Sequence, residues 1–226
     1  MLEGRRSLDQ ALQLGVDPEL VFVTASRAQD YDAVGDRVRI VGERRLAQIS
    51  SLDTSDGVLG VAATSIARFE EVAKRDCILL PIGLQDPGNL GTLLRSALAF
   101  FASVGLVVGP GTVDPFSPKV VRATTGLISL AAIHETDNYT ACLSELGQRG
   151  VMRVALVPRA GTRLLMAPLP RPFAILIGSE AHGIGAGLLA DCDGLVSIPH
   201  RAQIDSLNAG VAGSIALFSF AGLVGG

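Results

Sequence analysis

"CILLPIGLQDPGNLGTLLRSALAF", residues 77–100, joins two kinds of hydrophobic pattern across one turn. Its first seven residues form a continuous apolar run, the pattern of a strand covered on both faces. Pro87-Gly88 then forces a turn, after which Leu90, Leu93, Leu94, Ala97 and Leu98 recur at i, i+3, i+4, i+7 and i+8. That spacing predicts one buried stripe of a helix. At about 100° per residue, Gly91 and Arg95 fall together on a flank away from the stripe, and Asn89 sits where an N-cap belongs.

The same alternation of apolar runs and helix-like segments continues with runs at 104–109, 127–134, 151–157, 173–178 and 194–199. Because the runs are continuous rather than alternating, they predict an α/β domain with helices on both faces of a parallel sheet, spanning 77–226. Upstream, 7–14 and 43–50 are helix-like and 20–25, 38–41 and 57–63 are strand-like, a small α/β domain over 1–64. The charge-rich stretch 65–76 interrupts the apolar pattern and is expected to be a linker.

The chain has 226 residues, 48% of them hydrophobic, with a mean hydropathy of +0.42, enough to bury a sizeable core. A net charge of −3 gives no global attraction to a polyanion, so any nucleic-acid contact must come from local patches. Cys77, Cys142 and Cys192 are odd in number, far apart and outside any CxxC, which argues against a disulfide framework and a metal site and fits a reducing cytoplasm. No charged segment followed by an apolar one opens the chain, so no secretory signal is expected. The uncharged stretch 206–226 is long enough to test for a membrane span. Its Gly and Ala content, and an N-cap expected at Asp205-Ser206, favour a buried helix approached closely by other backbone, with no membrane partner.

A P-loop and a G-x-S-x-G elbow are both missing. "GIGAG" (183–187) fails the dinucleotide fingerprint because Leu188 holds its last position. What remains are three polar or Gly-rich breaks at the carboxyl ends of predicted strands, where open α/β sheets bind ligands. They are "QDPGNLGTLLR" (85–95), "IGSEAHGIG" (177–185) and "SIPHRAQIDSLNAG" (197–210).

In order and spacing these three breaks resemble the motifs of the SpoU, or TrmH, family of SPOUT-superfamily RNA 2′-O-ribose methyltransferases. Asn89, Gly91 and Arg95 carry the first, Gly178, Ser179, Glu180 and Gly183 the second, and Ile198, Pro199, Ser206, Leu207 and Asn208 the third. "DPFSPKVVRATTG" (114–126) is similar to the family's segment between motifs. "LEGRRSLDQAL" (2–12) and "GVLGVAA" (57–63) are similar to the small L30e-like RNA substrate-binding domain that many members carry. The front begins abruptly within that domain, hence an expectation that residues precede Met1.

The resemblance implies a deep C-terminal trefoil knot that binds S-adenosylmethionine, and a homodimer paired through the knot domain. It implies that Val157, Pro158, Gly178, Ser179, Glu180, Gly183, Ile198, Ser206 and Leu207 line the cofactor pocket, the loop "VPRAG" (157–161) completing it. Asn89, Arg95, Glu180, Ser206 and Asn208 would form the catalytic set. RNA contacts would come from Arg5, Arg6, Arg44, Arg45, Lys119 and Arg122, with Arg95 gripping a phosphate. His200 departs from the family, which usually has Met there. The expected activity is methylation of a ribose 2′-hydroxyl in structured RNA, foremost 23S ribosomal RNA. The alternatives are a transfer RNA substrate or a non-catalytic RNA-binding protein that keeps the fold.

Overall fold

The computed structural model describes residues 1–52, 54–159, 162–163, 169–201, 203 and 205–222. The chain divides into two compact units, 1–65 with 116–129, and 66–115 with 130–226.

In the first unit β1 (Leu2–Glu3), α1 (Arg5–Gln13), β2 (Leu20–Val23), β3 (Val38–Ile40), α2 (Glu43–Ile49) and β4 (Val58–Val61) build a four-stranded sheet of order β1-β4-β2-β3. Only the β2–β3 pairing is parallel. Leu8, Ala11, Val21, Val23, Leu46 and Leu59 are buried in this unit.

The second unit opens with α3 (Phe69–Val72), inside the stretch expected to be a linker. The expectation fails because the charges are spaced for one face of a helical turn. Arg68, Glu70, Glu71 and Lys74 are exposed, while Phe69, Val72 and Ala73 are buried in the unit's core. Then follow β5 (Cys77–Ile82), α4 (Pro87–Phe100) and β6 (Val104–Val108). Residues 116–129, expected to belong with 77–226, instead pack with the first unit and carry α5 (Pro118–Ala123). There Glu3, 2% exposed, accepts from Ser51 N at 2.7 Å and Ser51 Oγ at 2.5 Å, and pairs with Arg122. The apolar run 127–134 splits into a 3₁₀ turn (Leu127–Leu130) and β7 (Ala131–Glu135).

The remaining elements are α6 (Tyr139–Gln148), β8 (Met152–Leu156), β9 (Thr162–Arg163), β10 (Phe173–Gly178), α7 (Ala186–Ala190), β11 (Gly194–Ser197) and α8 (Ala209–Ala221). The sheet is parallel throughout, in the order β7-β6-β5-β10-β8-β11-β9. Side chains of β10 alternate between its two faces. Ala174 and Leu176 join the core formed with α3 and α6, whereas Phe173 meets the rings of Phe101 and Phe220 edge-on at 5.3 and 5.7 Å. Among the described residues no helix is long and apolar enough to cross a membrane; residues 223–226 of the tested stretch lie outside them.

One consequence of the strand order matters for the site. β5 lies directly beside β10, with Ile82 opposite Gly178, although the paired residues are 96 positions apart in the chain. All strands run the same way, so the segments that follow β5, β10 and β11 leave from one end of the sheet.

Candidate functional site

At that end α4 begins. Asp86 is its N-cap, accepting from Asn89 N at 2.8 Å, with Pro87 in the first turn. This corrects the reading of Asn89 as the cap. Asp directly before Pro is a helix start, and it leaves the Asn89 side chain free to point elsewhere. Gly91 is buried rather than set on an open flank, while Arg95, one turn further on, is exposed.

The segment after β10 folds back on itself within five residues. Ser179 bridges Gly183, whose N donates to Ser179 O at 2.8 Å, and Ser179 N donates to Ile82 O at 3.0 Å. A Cβ on Gly178 would lie 2.4 Å from Gly183 C and 2.5 Å from its O, so this approach requires glycine. Gly183 itself has φ +63°. The hairpin presents Glu180 outward.

The third segment ends at α8, capped by Asn208, whose Oδ1 accepts from Val211 N at 3.1 Å. The cap expected at Asp205-Ser206 is therefore two or three residues later. The Asn208 amide also joins the three segments: its Nδ2 donates to Asn89 Oδ1 at 2.8 Å and to Glu180 Oε1 at 3.0 Å. Asn89 Nδ2 donates to the same Oε1 at 3.3 Å, as does Ala209 N at 2.9 Å. A carboxylate only accepts, so it fixes the orientation of both amides. The start of α8 places its positive dipole end on the same oxygen. Ala209 N is a functional group that side-chain reasoning misses, and Asp86 was legible from its place before Pro87.

α8 lies close against α4. A Cβ on Gly210 would be 3.1 Å from Asn89 Cα, one on Gly213 2.4 Å from Leu93 Cδ1, and the hydroxyls of Ser96 and Ser214 are 2.7 Å apart. The close backbone approach expected for this glycine-bearing helix is thus present.

Behind the polar cluster is a cavity of about 230 Å³. All nine residues proposed for the cofactor line it, from Val157 and Pro158 through Gly178, Ser179, Glu180 and Gly183 to Ile198, Ser206 and Leu207. Leu156, Ile177, Ile184 and Ala212 add apolar wall, and His200 also lines it. Ala160 and Gly161 of the "VPRAG" loop, and Ala202 and Ile204 of the third break, lie outside the described residues. Of the five catalytic candidates, Asn89, Glu180 and Asn208 are hydrogen-bonded together and Ser206 lines the cavity. Arg95 stands apart. It is six residues beyond Asn89, about 9 Å along the helix axis, and makes no hydrogen bond or ion pair among the described residues.

The other basic candidates lie in the first unit. Arg6, Arg44, Arg45 and Lys119 are exposed and, among the described residues, without an acidic partner. Arg5 is 3.4 Å from Asp9 and 3.9 Å from Asp30. Arg122 is engaged by Glu3 and donates to Ser51 Oγ at 2.6 Å. No group of three or more His, Cys, Asp or Glu residues that could hold a metal occurs among the described residues.

The family model for the SpoU rRNA Methylase family matches residues 76–218, more than half of the chain. The chain belongs to this family. Among SpoU relatives it is similar to the 23S rRNA (guanosine-2′-O-)-methyltransferase RlmB of Xanthomonas axonopodis pv. citri, 32% identical over 211 residues, covering 93% of this chain and 79% of that one. It is also similar to the 23S rRNA guanosine 2′-O-methyltransferase RlmP of Bacillus subtilis, 27% identical over 224 residues, 98% of this chain and 88% of that one. The crystal structure of an AdoMet-bound rRNA methyltransferase from Sinorhizobium meliloti matches with a TM-score of 0.80 at 27% identity, over 96% of this chain and 85% of that chain.

Proposed function

We propose that this SpoU-family protein transfers a methyl group from S-adenosylmethionine to a ribose 2′-hydroxyl in structured RNA, with 23S ribosomal RNA the first candidate. One observation carries the reading. Three segments distant in the chain meet at one end of a parallel sheet, where Asn89, Glu180 and Asn208 close a hydrogen-bonded cluster beside an apolar cavity.

The residues present fit the cofactor. Leu156, Ile177, Ile184, Ile198 and Leu207 offer the apolar walls an adenine ring requires, and the Glu180 carboxylate opposes a positively charged donor. When bound, S-adenosylmethionine supplies an electrophilic methyl group. The chain's own residues then position the acceptor. Glu180, holding three donors on one oxygen, fixes the hairpin after β10 to the start of α8, so both walls keep their geometry. Arg95 grips the phosphate next to the reacting ribose and lowers the cost of the developing alkoxide. A guanidinium stays protonated and so acts electrostatically rather than as a base.

The second unit adopts the deep trefoil knot of the family, with α8 as the threaded segment; the glycines that let α8 approach α4 support this. The first unit is the L30e-like substrate-binding domain and contributes Arg6, Arg44, Arg45 and Lys119 to RNA, with Arg5 at their side. Arg122 serves its own fold first. The enzyme is a homodimer through the second unit: Val211, Ile215 and Phe218 of α8 are 49%, 40% and 39% exposed and form one apolar stripe at helical spacing. It works in the cytoplasm, a setting that free Cys77, Cys142 and Cys192 suit.

Incubation with radiolabelled S-adenosylmethionine and total RNA, followed by nucleoside analysis, tests the reading. A labelled 2′-O-methyl nucleoside is expected, and its loss in Arg95→Lys supports the role of the planar guanidinium. Cofactor binding without transfer to any RNA would overturn it in favour of a non-catalytic RNA-binding protein.

A further inference from the structure

Methyl transfer to a hydroxyl leaves one proton to be placed, and few atoms around the cavity are able to take it. Arg95 stays protonated and stands apart, and the amides of Asn89 and Asn208 are no bases. Ser206 offers a hydroxyl of the same kind as the acceptor's. His200 lines the cavity, but its Nε2 is buried and its Nδ1 faces Ile198 O at 2.8 Å, so neither nitrogen is open to a ligand. Glu180 is the one carboxylate among the described residues that line the cavity, and it is exposed. Its two oxygens are engaged unequally. Oε1 accepts from Asn208 Nδ2 at 3.0 Å, Asn89 Nδ2 at 3.3 Å and Ala209 N at 2.9 Å, whereas Oε2 has no partner among the described residues. Ala209 lines the cavity as well, so the carboxylate sits at the cavity's edge.

We infer, on the reading of the cavity as the S-adenosylmethionine site, that Glu180 Oε2 accepts the proton of the ribose 2′-hydroxyl during methyl transfer. A lone pair of the 2′-oxygen forms the bond to the methyl carbon, and the carbon–sulfur bond breaks with its electron pair returning to sulfur. The proton passes from the 2′-oxygen to Oε2 and from there to water. A weak base suffices, because a hydroxyl oxygen becomes strongly acidic as its new bond to carbon forms. The acceptor must be in place rather than strong. Three donors on Oε1 serve that need, since they fix the carboxylate and leave Oε2 a single direction from which to meet the hydroxyl. Sulfonium and carboxylate also lose their opposite charges together, so no unpaired charge is left beside the apolar wall.

Glu180→Gln separates this role from positioning. Glutamine turns its carbonyl oxygen toward the three donors, which keeps the cluster, and its amide nitrogen then stands in place of Oε2 with no lone pair for a proton. Calorimetry on the whole protein uses S-adenosylhomocysteine, which carries no sulfonium charge, and should give the variant an affinity within about threefold of wild type. Transfer from radiolabelled S-adenosylmethionine to total RNA, both saturating, should fall about 100-fold or more. The residual rate should rise about tenfold per pH unit from about pH 7 to about pH 9, where hydroxide replaces the lost acceptor. Wild type should stay flat, because carboxylates are ionised throughout that range. Near-wild-type transfer by Glu180→Gln, or a reduced rate with the wild-type pH profile, overturns the inference and leaves Glu180 a positioning residue. Loss of S-adenosylhomocysteine binding in parallel with transfer also overturns it, assigning Glu180 to holding the cofactor. A wild type that methylates no RNA overturns the methyltransferase reading together with it.

Discussion

Asn208 shows how much a single amide does in this fold. Its oxygen caps α8 while its nitrogen links Asn89 to Glu180, so the two roles separate by substitution. Aspartate caps as well as asparagine does, but it replaces the donor with a second carboxylate beside Glu180. Asn208→Asp is therefore expected to keep most of the thermal stability and lose at least tenfold in methyl transfer. Asn208→Ala should lose the transfer and also about 1 kcal/mol of cap stability. Wild-type turnover in the aspartate variant would remove Asn208 from the catalytic set. In the first unit, burial pushes the Glu3 carboxyl up, but the Ser51 hydrogen bonds and the Arg122 charge outweigh it and hold Glu3 below the usual carboxylate range. A lowered folded value contributes stability that is complete above the unfolded value of about 4.3 and is lost as pH falls through the folded one. Thermal melts should thus weaken below about pH 4. Glu3→Gln should flatten that acid limb and cost about 2–3 kcal/mol at neutral pH, because Arg122 loses its carboxylate partner and keeps only neutral acceptors. None of this was legible in the sequence: Glu3 and Arg122 are 119 positions apart, and no local pattern couples them. The misplaced caps had a local cause, since Asn89 and Ser206 are both good capping residues and only the backbone path decides between them and Asp86 or Asn208.

At the scale of elements, the continuous apolar runs became β5, β6, β8, β10 and β11 nearly residue for residue, because a strand buried on both faces leaves an unbroken hydrophobic signature. β1 and β9 escaped, each being two residues long and carrying no period. The run 127–134 hid a 3₁₀ turn, since apolar composition alone does not distinguish that from a strand. The neighbouring of β5 and β10, which brings Asn89 to Glu180, lies beyond any local pattern and entered only through resemblance. The hairpin after β10 offers a sharp test of element packing. Alanine at 178 would place Cβ 2.4 Å from the Gly183 backbone, where no flexible side chain can yield. Gly178→Ala should cost about 1–3 kcal/mol by overpacking and abolish measurable S-adenosylhomocysteine binding by calorimetry. Gly210→Ala, 3.1 Å from Asn89 Cα, needs only a few tenths of an ångström of yielding between α8 and α4. It should reduce turnover with a much smaller change in melting temperature.

For the molecule as a whole, two surfaces remain to be satisfied, one apolar and one charged. The stripe of Val211, Ile215 and Phe218 should be covered by a second copy. Ile215→Asp is expected to shift sedimentation from dimer to monomer; a monomeric wild type would end the dimer reading. The charged surface must work against a chain whose net charge is −3, which repels RNA at long range. Affinity then depends on a few cations acting within about one Debye length, roughly 8–10 Å at physiological salt. Each phosphate they neutralise releases counterions and steepens the dependence of log K on log salt by about 0.7 for single strands and 0.9 for duplex. Arg44 and Arg45 are exposed at the start of α2 and free of acidic partners among the described residues, so both are available. Filter binding of structured ribosomal RNA across a salt series should give a steep slope for wild type. The double variant Arg44→Gln/Arg45→Gln should be shallower by about 1.5–2 and converge with wild type at high salt. Arg122→Gln should act differently, lowering the melting temperature through Glu3 more than it changes the slope. Equal slopes for wild type and the double variant would place RNA recognition away from α2.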